Sequence, residues 1–145
     1  MKHFVAPSVG RTFVMRLERG DDLLEVIREL IQKENISNAA VVSGIATFDE
    51  VNMHMTTTFG YPIGYHKVQL KEPLELASLD GTIIDAEPHI HGVVSNAYHT
   101  WAGHILEGCR VLYLGEVVVQ ELLGCRLTRQ ADENGVRLIF EKDST

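Results

Sequence analysis

Apolar side chains at Leu23, Val26, Ile27, Leu30 and Ile31 recur at the spacing that gathers them on one helix face. Gly20-Asp21-Asp22, just before them, supplies a turn and an N-cap, so the pattern predicts a helix over residues 23–34. Elsewhere the pattern belongs to strands. Residues 11–17 read as one and residues 39–44 as a short buried one, while Val51, Met53 and Met55 alternate with Asn52, His54 and Thr56 as on a half-exposed one. Gly60, Pro62 and Gly64 punctuate an exposed loop. Residues 74–79 and 82–84 flank Asp80-Gly81, a dipeptide that tolerates positive φ and suits a type I′ hairpin turn. Residues 111–119 are apolar apart from Gly115 and Glu116, as expected of a central strand covered on both sides. Residues 126–129 and 136–140 predict a terminal hairpin around Asp132-Glu133-Asn134-Gly135. Many strands and one main amphipathic helix together predict an α+β fold.

At 145 residues and 45% hydrophobic content, the chain can bury roughly two-thirds of its unfolded surface. With no internal repeat and no Pro/Gly/Ser-rich linker, a single compact domain over residues 1–145 is expected. The first ten residues hold one Lys and no apolar run, and no stretch approaches the roughly 20 apolar residues that span a bilayer. A soluble, unexported, cytoplasmic protein is expected. Cys109 and Cys125 lack C-x-x-C spacing and read as two ordinary buried thiols. The net charge of −7, from 20 acidic and 13 basic residues, opposes phosphate neutralisation. Arg126, Arg129, Arg137 and Lys142 gather near one end, but Glu121, Asp132, Glu133, Glu141 and Asp143 offset them, so no basic stripe forms. Nucleic acid is an unfavourable partner for the isolated chain.

Four of the seven histidines fall between positions 89 and 104. Residues two apart on a strand project from one face, so His89 and His91 point their imidazoles together and can clamp one ion. His104 can bring a third nitrogen, because Gly103 offers no side chain to obstruct close approach and residues 95–97 let the chain turn back. Three imidazoles suit zinc, copper, iron or nickel better than calcium or magnesium. Zn2+ is the default, being non-redox and commonly tetrahedral, with water in the fourth position. The competing reading is that alternating histidines are solvent-facing or hydrogen-bonded strand residues.

Other residues offer weaker alternatives to this set. His99, beside Tyr98 and Trp101, is an alternative ligand but reads more naturally as a loop or pocket-wall residue. Glu87 and Glu107 flank the histidines and could orient an imidazole or accept a proton, although solvated strand-end acids are commoner. Ser43 and Gly44 precede a presumed loop without a phosphate-binding fingerprint. Met53 and Met55 invite a copper reading that core packing explains better. His3, His54 and His66 receive no role.

Glu87-Pro88-His89-Ile90-His91, then Ala102-Gly103-His104-Ile105-Leu106-Glu107-Gly108, then the run from Val111 through Glu116 to Val119 resemble the plants and prokaryotes conserved (PPC) domain family. Val42-Ser43-Gly44-Ile45-Ala46-Thr47-Phe48 is similar to its strand-to-loop segment, and residues 74–83 to its E-hydrophobic-S-L-x-G-x-I stretch. The resemblance implies a largely antiparallel sheet, a homotrimer, and a three-histidine metal site on His89, His91 and His104. Ala102 stands where the family's G-G-H motif has its first glycine. The AT-hook that joins this domain in plant members has no counterpart here. Two functions follow as expectations. One is a metal-binding protein with an open coordination position, acting as a small-molecule enzyme or as a sensor of a small anionic ligand. The alternative is a DNA-binding or transcription-associated module acting through its trimer, with the metal stabilising one segment.

Overall fold

A computed structural model describes residues 1–142, so Asp143 lies outside the described residues. Strand covers 61% of the described residues and helix 8%, which makes the fold essentially all-β and corrects the α+β expectation. The elements run β1 (Ser8–Glu18), α1 (Leu23–Glu34), β2 (Asn38–Thr56), β3 (Tyr65–Leu70), β4 (Leu74–Ile84), β5 (Glu87–Ser95), β6 (Thr100–Ile105), β7 (Arg110–Leu123), β8 (Leu127–Ala131) and β9 (Arg137–Glu141). The helix, placed where its periodicity predicts, is one short element among nine strands. Asp22 caps it by accepting from the backbone N–H groups of Leu24 and Glu25, and Asn35 ends it in the left-handed region.

Seven strands form one antiparallel sheet in the order β1-β7-β2-β4-β5-β6, with β3 attached to β2. The far half of β2 returns to pair with β6, placing Met53 opposite Ile105 and His54 opposite His104. This pairing closes β2, β4, β5 and β6 into a ring. Leu23, Leu24, Ile27 and Ile31 of the helix join Phe48, Val51, Met53, Leu79, Ile90 and Val117 in one buried cluster. Burial of Met53 supports its reading as core. β8 and β9 form a separate hairpin, as predicted.

Three further expectations are corrected. The two short strands at 39–44 and 51–55 are parts of the single 19-residue β2, whose register shifts against β7 interrupt the period-two pattern. Ser43 and Gly44 therefore lie inside a strand rather than before a loop. Asp80-Gly81 is not a turn, because β4 runs straight through it. Gly81 is required there since a Cβ would collide with the His89 carbonyl oxygen. The hairpin turns at Asp85-Ala86, with φ of 57° and 63°, and alanine gives little sign of a left-handed position. Finally, β7 is central but covered on one side only in the single chain. Val111, Val117 and Val119 are buried, whereas Val14 of β1, Ile45 of β2 and Leu114 of β7 lie 78%, 50% and 50% exposed. Its outer face is apolar too, which is why the sequence reads as a continuous run. Cys109 is buried as expected, but Cys125 is only half-buried. No helix among the described residues is long and apolar enough to cross a membrane.

Candidate metal centre

The β5–β6 hairpin carries the three histidines. His89 and His91 share one face of β5, and the antiparallel register sets His104 of β6 directly across from His91. Asn96 makes the return possible, its side-chain oxygen accepting from the backbone N–H groups of Tyr98 and His99. Gly103 permits the close approach foreseen for it, because a Cβ there would lie 2.5 Å from the His54 carbonyl oxygen. Ala102 is an exposed residue of β6 and has no positive φ, so its methyl group meets no backbone restriction.

One nitrogen from each of His89, His91 and His104 falls within 4.8 Å of the others. The His89 and His91 Nε2 atoms are 3.3 Å apart. Two nitrogens bound tetrahedrally to zinc at about 2.0–2.1 Å are separated by about 3.4 Å, so this pair already has the spacing of two ligands on one ion. The donor set fits a divalent metal of the imidazole-preferring kind. The electrostatics agree with it. Desolvation, followed by the nearby histidines, pushes His104 down to about 4. His89 is lowered by desolvation first and then by the Arg129 cation. Both are therefore neutral at pH 7, the form in which imidazole binds metal.

His54, given no role by its sequence context, belongs to this centre. Its ring stacks on His104 at 4.6 Å with planes 12° apart, and Tyr65 packs on it at 4.5 Å. Its strand alternation was legible; its alignment with His104 follows from the β2–β6 closure, which local pattern does not encode. His99 instead contacts Trp101 at the distal end of the hairpin and is absent from the cleft wall. Glu87 and Glu107 do reach the cleft, but neither touches an imidazole. Glu87 accepts two bonds from Arg137 and Glu107 one from Arg28.

The histidines open into a cleft of about 930 Å³, a size suited to a small organic molecule. Helix α1 contributes Leu24 and Arg28 to it, β3 contributes Tyr65, and the β8–β9 hairpin contributes Arg129, Val136 and Arg137.

The family model of the Plants and Prokaryotes Conserved (PCC) domain matches residues 5–123. The chain belongs to this family. The PPC match ends just before the β8–β9 hairpin. A metal-containing protein of Archaeoglobus fulgidus is similar in structure, with 29% identity and a TM-score of 0.84 over 97% of this chain and 100% of that one. A plant- and prokaryote-conserved protein of Pyrococcus horikoshii shows 30% identity and a TM-score of 0.79 over 94% and 96% of the two chains. In sequence, 87% of the chain aligns at 25% identity with the bifunctional protein GlmU of a Synechococcus strain, of which it spans only 19%.

Proposed function

We propose that this PPC protein binds one divalent metal ion per chain, zinc by default, through His89, His91 and His104, and presents an open coordination position to the cleft. The observation that carries this reading is the convergence of one nitrogen from each of three imidazoles on the cleft lining. The similar Archaeoglobus fulgidus protein, described as metal-containing, adds support. A metal held this way supplies a Lewis acid and can lower the pKa of a coordinated water. The protein's own contribution is to converge the imidazoles, to desolvate those of His89 and His104, and to shield one side of the site with His54 and Tyr65. The role is that of a small-molecule enzyme or a sensor of a small anionic ligand. Elemental analysis of protein purified without chelator should find about one transition metal per chain, and little in the variant with alanine at all three histidines. Equal metal content in the two proteins would refute the site.

The uncovered outer face around Val14, Ile45 and Leu114 supports a homotrimer, in which symmetric copies would cover it. Light scattering at micromolar concentration should give three times the chain mass. A monomer under those conditions would exclude this assembly.

A further inference from the structure

Two arginines of the β8–β9 hairpin line the histidine cleft, and their situations differ. Arg137 donates to both carboxylate oxygens of Glu87, at 3.0 and 3.2 Å, so its charge is matched. Arg129 spends Nη2 on the neutral Thr82 hydroxyl at 2.8 Å, and its Nε is buried with no hydrogen-bond partner among the described residues. No carboxylate among the described residues forms an ion pair with it. A half-buried guanidinium whose nearby acid, Glu87, attracts it without touching it and is already engaged by Arg137 is a costly arrangement unless an anion completes it. Its planar guanidinium matches the oxygens of a carboxylate or phosphate, and Nη1 makes no hydrogen bond among the described residues.

The surroundings favour the same occupant. The imidazoles bring no negative charge, and the cleft's two acids are tied to Arg28 and Arg137 at 2.8 and 3.0 Å. A chain of net charge −7 thus concentrates unmatched positive charge in one concavity. Such a pocket draws anions inward, and a metal at the histidines would strengthen the field.

We infer that the cleft binds a small oxyanion, the carboxylate or phosphate group of a small molecule, gripped by the Arg129 guanidinium while another oxygen faces the histidines. The inference rests on the metal reading only for that second oxygen; the arginine half stands on its own. Isothermal titration calorimetry with inorganic phosphate and, separately, with malonate tests it on metal-loaded and chelator-treated full-length chain. Metal content is measured on the same samples. The wild type should bind at least one of the two anions. Arg129→Gln should weaken that binding roughly tenfold or more at unchanged metal content, as loss of a charged hydrogen-bonding partner implies. Arg126→Gln, an exposed cation outside the cleft, should leave it unchanged. Where circular dichroism shows the Gln variant unfolded, Arg129→Lys keeps the charge but not the fork, and weaker binding by Lys carries the same conclusion. No binding of either anion at millimolar concentration, or equal affinity in wild type and Arg129 variants, overturns the inference. Anion binding that depends on Arg129 in a wild type devoid of metal upholds it and removes the metal reading instead.

Discussion

Stripping the metal with a chelator at pH 7.5 is expected to lower the stability of the folded chain by about 3–4 kcal/mol. That is the linkage free energy of a ligand present at roughly 100–1,000 times its dissociation constant and bound only by the native state. For a domain of this size the melting temperature should drop by about 5–15 °C. The variant lacking the three histidines should melt at one temperature with or without chelator. An unchanged wild-type melt, after the metal is shown to be gone, would refute the proposed linkage. Acid should act on the metal-free protein in a defined window. His104 is held down to about 4 by desolvation and its neighbouring histidines, against about 6.5 in the unfolded chain. Between those values the unfolded state binds the extra proton, so stability falls as pH drops from 6.5 toward 4, and this group adds no slope outside that range. Allowing for its partial exposure, the loss should be about 1–2 kcal/mol.

Gly103→Ala is expected to damage fold and site together. The added methyl would sit 2.5 Å from the His54 carbonyl oxygen and 3.2 Å from the Met55 side chain. The obstructing atom is backbone, so β6 must move away from β2 at the point where the ring closes. Overpacking of this kind costs about 1–3 kcal/mol. Displacement of the adjacent His104 should also weaken metal affinity by roughly tenfold or more, the scale on which loss of ligand positioning acts. Ala102→Gly, one residue away, is the contrast. It restores the family's glycine pair at a strand position where that is not needed, and should cost no more than about 1 kcal/mol with metal affinity unchanged. Urea titration and competitive metal titration measure both quantities. A Gly103→Ala protein with wild-type values in each would show that the hairpin accommodates a side chain there.

The parts of this molecule that local chemistry determines were legible from residue order. The Asp22 cap and the spacing from Leu23 to Ile31 define the helix, and His89-Ile90-His91 needs only a strand's alternation to converge. What escaped depends on pairings between distant residues. β2 reads as two strands because its bulges break the alternation, and the weight given to one clear helix tilted the fold class toward α+β. Asp80-Gly81 carries a hairpin's residues, yet Gly81 is there to let β5 pass, while the real turn uses Asp85-Ala86. His54 enters the site only because β2 returns to β6. Arg129 reads as one of several terminal charges offset by acids, and nothing in its neighbourhood along the chain announces that its side chain reaches Thr82.

The histidine cleft is assembled from two hairpins far apart in the chain. All three imidazoles sit on β5–β6, whose strands are joined by a short connection, whereas two of the cleft's three arginines, Arg129 and Arg137, come from β8–β9, on the far side of the long central strand β7. Synthesis from the N-terminus therefore divides the cleft in time. The ligand set is complete once His104 has emerged, with β2 already available to receive β6, while Arg129 and Arg137 follow only after β7. A nascent chain therefore presents its three imidazoles before it can offer Arg129, so under the proposed function the site for the ion and the site for the oxyanion would be completed at successive stages of the protein's formation.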